Sequence, residues 1–179
     1  MDNLINIKYK LSIYNKVNYY QLLLINDINS SVINIVNNYN TNNTNNNIIL
    51  FNSFYKNILE TKTQKNIINL ENNIDYENIL TKYNIKGNIV FLSNFNNIFS
   101  KKWTKYELHN IFNKYRNLLF IIDETYINEN DVNNNTIYSC SNCINLFYNI
   151  LVIKTLSNIF DTNVKYVVSN VKLLNKISK

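Results

Sequence analysis

The stretch LLFIIDETY, residues 118–126, decides how the rest of this chain is read. Leu118, Leu119, Phe120, Ile121 and Ile122 follow one another without a polar residue until Asp123. A continuous apolar run of this length, rich in β-branched and aromatic residues, predicts a strand buried on both faces, as in a parallel sheet. GNIVFLS (87–93), NILVIKT (149–155) and VKYVVSN (164–170) read the same way. KYELHNIFNKY (105–115) sets Leu108, Ile111, Phe112 and Tyr115 on one face and predicts an amphipathic helix between two of these strands. Residues 127–138 read as a loop and 140–148 as a short helix.

Upstream, Leu4, Ile7, Leu11 and Tyr14 fit one helix face. QLLLI (21–25) is a short apolar run, and Val32, Ile33, Ile35 and Val36 predict a helix after it. IILF (48–51) and NIINL (66–70) predict strands, with a helical stretch near 54–60 between them. The chain has no Pro and a single Gly, Gly87, so asparagine clusters must punctuate it. NNYNTNNTNNN (37–47) accordingly reads as a surface loop. Strands separated by helices predict an α/β fold: three layers, a mostly parallel sheet with helices on both faces, and residues 1–179 as one domain.

The chain has 179 residues, 46% of them hydrophobic and 17% charged, which is enough to bury a core and too apolar for a solvated tail. No stretch runs apolar for the ~20 residues of a spanning helix, so no membrane segment is expected. MDNLINIKYK (1–10) lacks a basic flank followed by an apolar block, so no secretory signal is expected and the predicted location is cytoplasmic. There are 42 Asn, 27 Ile, one Arg and no Ala. Asn, Ile, Lys, Tyr and Phe codons draw almost wholly on A and T, so the bias points to an A+T-rich genome. Such drift raises Lys over Asp and Glu, and the net charge of +6 is therefore weak support for a nucleic-acid module.

In open α/β sheets ligands bind beyond the carboxyl ends of the strands. Polar clusters stand at three such ends: Ser93 to Asn97, Asp123 to Tyr126, and Thr155 to Asn158. Any one of them could be an ordinary loop; three at successive strand ends predict a site.

At these clusters the chain resembles the pyridoxal-phosphate-dependent aminotransferases of class I/II (fold type I), and within them the histidinol-phosphate aminotransferase group. FIIDETYINE (120–129) is similar to that family's strand ending in Asp-Glu-Ala-Tyr. NILVIKTLSNIF (149–160) resembles its strand followed by Arg-Thr-Leu-Ser-Lys-Ala-Phe, and VFLSNFNNIFS (90–100) its Asn-Pro-Asn-Asn-Pro-Thr-Gly motif without the prolines and glycine. NSFYKNIL (52–59) and LLLINDINSSV (22–32) resemble, more weakly, its aromatic segment and phosphate loop, so the likeness spans nearly the whole chain. The resemblance implies the cofactor-binding large domain of an aminotransferase, without the N-terminal arm and the smaller C-terminal domain.

It also implies a set of site residues. Asp123 matches the carboxylate that keeps the ring nitrogen of pyridoxal 5′-phosphate protonated; a strand-end Asp can also simply cap the next turn. Asn97 and Tyr126 match the positions that bond the ring's phenolic oxygen, and Phe54 falls where an aromatic stacks on the ring. Thr155 and Ser157 match phosphate-binding hydroxyls, and Lys165 lies near the family's phosphate-binding Arg if one residue is deleted before it. Asn29 and Ser30 replace an Asp-Glu pair, and Asp27 stands where glycine is expected, putting a negative charge against phosphate. Asn158 occupies the place of the Schiff-base lysine, and an amide cannot do that lysine's work. Lys154 lies inside a strand, four residues earlier, and is not expected to reach the site.

The remaining features predict no second chemistry. Cys140 and Cys143 form CSNC without another Cys pair or a nearby His, so no metal site is predicted. His109 is the single histidine, on a helix, and reads as a surface or packing residue, while Trp103 reads as the anchor of that helix. Three functions stand. The first is an aminotransferase acting on an amino acid and a 2-oxo acid, as a homodimer or with a partner subunit. The second is a non-catalytic folded remnant or partner subunit. The third, with less support, is a basic nucleic-acid-binding module.

Overall fold

The computed structural model of the chain describes residues 2–39, 46–51, 55–70, 75–93, 103–127, 138–156 and 163–178. In chain order the elements are α1 (Asp2–Asn15), β1 (Leu22–Ile25), α2 (Ile28–Tyr39), β2 (Asn47–Phe51), α3 (Lys56–Lys62) and β3 (Asn66–Leu70). There follow α4 (Tyr76–Lys82), β4 (Ile89–Ser93), α5 (Lys105–Lys114), β5 (Leu119–Glu124), a 3-10 turn (Cys140–Cys143), β6 (Ile150–Leu156), β7 (Val164–Ser169) and α6 (Val171–Ile177). The strands form one seven-stranded sheet in the order β1-β7-β6-β5-β4-β2-β3. β7 pairs antiparallel with both β6 and β1, and the other neighbours are parallel, so β7 alone runs against the rest.

The predicted α/β class with a mostly parallel sheet is what forms. Side chains alternate along each strand, and the alternation divides the core in two. On one face Val90, Leu92, Phe120, Ile122, Ile150 and Val152 pack under α1, α4, α5 and the 3-10 turn. On the other, Ile89, Phe91, Leu119, Ile121, Leu151 and Ile153 pack under α2, α3 and α6. All six positions of β5 are buried, which explains why its sequence shows no polar alternation.

Asparagine does serve as punctuation, through its side chain. Asn88 receives the Asn47 backbone N–H on its Oδ1 at 2.8 Å and donates to Tyr83 O at 2.9 Å, fixing β4 beside the start of β2. Asn149, 5% exposed, points its amide at Phe112 O, Tyr115 O and Leu118 O, at 3.2 to 3.4 Å. Thr104 and Glu107 build a reciprocal cap on α5, and the buried Trp103 stands beside it, edge-on to Tyr76.

Four details differ from the sequence expectation. Residues 37–47 are not one loop: α2 continues through Tyr39 and β2 begins at Asn47, while 40–45 lie outside the described residues. Residues 140–148 do not form a helix beyond the 3-10 turn, whose first N–H, on Cys140, is accepted by Glu124 at 2.6 Å. Leu4 lies off the packed face of α1 at 60% exposure, although Ile7, Leu11 and Tyr14 do face the core. Periodicity does not predict α4 and α6, yet both have side-chain caps, Asp75 and Asn170. Of the expected loop 127–138, residues 128–137 lie outside the described residues. No helix among the described residues is long and apolar enough to cross a membrane.

Candidate functional site

Register and alternation together select which polar side chains meet. Ser93 pairs with Asp123 across β4 and β5, and Asp123 with Ile153 across β5 and β6. Thr155, two residues beyond Ile153, pairs with Lys165 on β7. By alternation Ser93, Asp123, Thr155 and Lys165 all emerge on the face covered by α2, α3 and α6. From Asp123 to Lys165 the path crosses two strand spacings, about 10 Å, and advances two residues, about 7 Å. A carboxylate and an ammonium group thus flank a strand-end surface broad enough for a small molecule.

Asp123 is 8% exposed and held by three donors. Its Oδ1 accepts from the Thr125 backbone N–H at 2.9 Å and from the Thr125 hydroxyl at 2.7 Å. Its Oδ2 accepts from the Tyr55 hydroxyl at 2.9 Å. Burial, and then the charge of Asp123, push Tyr55 ionisation far above the ordinary tyrosine range, so this hydroxyl keeps its proton and donates. Thr155 uses its hydroxyl to tie the chain after β5 to β6, donating to Thr125 O at 2.6 Å.

At the far end, Lys165 Nζ lies 3.4 Å from Asn26 O. Asp27 Oδ2 accepts the Ser30 backbone N–H at 2.7 Å and so caps the start of α2. That bond, with a further contribution from Lys165, holds the Asp27 carboxyl below its ordinary range. The positive end of α2 is therefore already met by a carboxylate of this chain.

Lys154 is absent from this face. It emerges with Val152 on the opposite side, 5% exposed, where Nζ lies 3.5 Å from Glu124 Oε2 and 3.0 Å from Ser139 Oγ. Its place on the other face follows from alternation along β6.

Of the predicted residues, Asp123, Thr155 and Lys165 come together on one face. Tyr126 is described and 62% exposed, at the open edge beyond β5. Phe54, Asn97, Ser157 and Asn158 lie outside the described residues. Tyr55 is the residue the sequence reading misses. Its neighbour Phe54 draws the eye as an aromatic, yet Tyr55 is the one that is 6% exposed, packed on Phe91 with ring centroids 5.5 Å apart and bonded to Asp123. A polar aromatic one residue ahead of a helix was the available signal. Of the surface and packing roles expected for His109, the structure shows packing: its Nε2 is 2.8 Å from Tyr138 Oη, and its ring meets Phe147 edge-on.

Searches with the sequence find no matching protein-family model and no matching curated protein. Comparison of the fold finds close likenesses. A putative histidinol-phosphate aminotransferase from Erwinia carotovora superposes with a TM-score of 0.75 at 19% identity, over 99% of this chain and 54% of that one. L-threonine-O-3-phosphate decarboxylase from Porphyromonas gingivalis gives 0.74 at 16%, over 97% and 51%. The histidinol-phosphate aminotransferase from Clostridium acetobutylicum gives 0.67 at 19%, over 97% and 52%. The chain has the fold of these enzymes and spans about half their length.

Proposed function

We propose that this chain is a large-domain relative of the histidinol-phosphate aminotransferases that holds pyridoxal 5′-phosphate without a covalent link and does not turn over by itself. The observation that carries this reading is the division of residues between the two faces. Asp123, Thr155 and Lys165 share the face under α2, α3 and α6, while Lys154, the lysine of β6, is paired with Glu124 on the other.

The described residues fit a non-covalent hold. An ionised carboxylate has about four acceptor sites, and among the described residues three are filled on Asp123, leaving one on Oδ2 for a ring N–H. Lys165 offers the cation for an anionic group about two strands away. By resemblance, Asn97 and Tyr126 would meet the ring's phenolic oxygen, Phe54 its face, and Ser157 the phosphate. When bound, pyridoxal phosphate supplies an electron sink; the chain's own residues bind and orient it.

Turnover needs an amine that bonds the cofactor and moves a proton, and Asn158 supplies neither function. An amino acid or 2-oxo acid would become a substrate only where another chain, a second copy or a partner subunit, provides that amine. The test is equilibrium binding of pyridoxal phosphate followed by borohydride reduction and peptide mapping. Saturable binding without a stoichiometric adduct is expected. One full adduct on a single lysine would replace the non-covalent part of this reading, and absence of saturable binding would end it.

A further inference from the structure

Asp123 is the penultimate residue of β5, and the direction of its carboxylate is set by the groups it meets. Here Thr125 captures Oδ1 through both its backbone N–H and its hydroxyl. That leaves the plane of the carboxylate to be set by what holds Oδ2, which among the described residues is the Tyr55 hydroxyl at 2.9 Å. Tyr55 is itself fixed. It is 6% exposed, directly precedes α3, and rests its ring on Phe91 of β4. The contact joins residues 68 apart in sequence, so it exists only because α3 packs against this face of the sheet.

We propose that Tyr55 is a positioning residue that aims the remaining acceptor site of Asp123 at the ring N–H of a phosphopyridine ligand. The inference rests on the reading of the site given above and adds to it a residue that touches Asp123 through its hydroxyl. Among the described residues Oδ1 holds two donors and Asp123 keeps one further acceptor position on Oδ2, and Tyr55 decides where it points. A carboxylate so prepared takes a single N–H donor along one direction and loses little freedom when the donor arrives. The high ionisation threshold of Tyr55 keeps the arrangement intact across the neutral range.

The experiment uses pyridoxine 5′-phosphate, which lacks the aldehyde and reports non-covalent binding alone. It is titrated into the wild-type chain, Tyr55→Phe and Asp123→Asn. Phenylalanine keeps the ring against Phe91 and deletes the one hydroxyl, so melting should stay within a few degrees of wild type. Tyr55→Phe should bind about tenfold more weakly. The absorbance-detected protonation of the bound ring should also persist to a lower pH limit than in wild type, a change that packing alone would not produce. Asp123→Asn should lose at least as much affinity.

If Tyr55→Phe matches wild type in affinity and in the ring's pH profile while Asp123→Asn loses binding, Tyr55 has no positioning role and the site reading stands. If none of the three chains binds, the site reading fails and this inference with it. Carboxyl carbon NMR of the ligand-free chain adds an independent check. The Asp123 resonance should move in Tyr55→Phe, and an unmoved resonance would overturn the inference whatever the binding data show.

Discussion

Lys154 and Glu124 face each other across β6 and β5, Nζ to Oε2 at 3.5 Å, on the side of the sheet opposite Asp123. Glu124 is 1% exposed and is further bonded by the Ser139 hydroxyl and the Cys140 N–H, so the pair anchors the 3-10 turn to the sheet. Removing one partner strands a buried charge. Glu124→Gln or Lys154→Met should each cost about 3–5 kcal/mol in urea unfolding. The double variant Glu124→Gln with Lys154→Met should cost clearly less than the sum, since no unpaired charge is left. Strict additivity would show that the two charges are not coupled.

Asp27 sets a negative charge at the start of α2, with Lys165 close enough to help hold it ionised. Asp27→Asn keeps a capping side chain and removes that charge. It should tighten pyridoxine 5′-phosphate binding several-fold at low salt, with the gain shrinking as salt screens the charge. Equal affinity at about 20 mM and 300 mM ionic strength would exclude an electrostatic effect of Asp27 on that end of the site.

Burial, then the charge of Lys105, lower the proton affinity of His109 from its ordinary value of 6.5. The folded chain therefore prefers the neutral ring. Below pH 6.5 the unfolded chain binds the proton more readily than the folded one, so stability falls as pH drops through that value. The loss ends once pH is below the folded-state value, where both states are protonated. His109→Gln should remove this slope from urea midpoints measured between about pH 7.5 and 5, and an unchanged slope would assign it to other groups.

Asn158→Lys restores the residue type that the resemblance places there. Borohydride reduction of that variant with pyridoxal phosphate should give one adduct, mapped to residue 158. Transamination by these 179 residues, which span about half the neighbours' length, should stay far below an ordinary aminotransferase rate. Ordinary turnover from the single substitution would show that this half-length chain holds a complete site.

The buried amide of Asn149 shares its two N–H donors among three carbonyls, Phe112 O at the end of α5 and Tyr115 O and Leu118 O in the α5–β5 connection. Asn149→Ala should destabilise the chain by about 1–3 kcal/mol, read by chemical denaturation. A neutral result would mean that water replaces the amide there.

The α/β class, the strands β4 to β7 and the helix α5 were legible locally, because burial on both faces or on one stripe is written in the order of neighbouring residues. LLFIID needed no partner to read as a buried strand, and Leu108, Ile111 and Phe112 needed none to read as a helix face. Asp123 and Thr155 were legible as strand-end polar residues for the same reason. The sheet order, the reversal of β7 and the meeting of Tyr55 with Asp123 were decided only in the tertiary structure. Each depends on contacts between distant segments, and a one-residue change of register in β5 would have turned Asp123 to the face of Lys154 and put Glu124 in its place. Sequence fixes the period of side chains along a strand; packing fixes which face each one occupies and what it meets there.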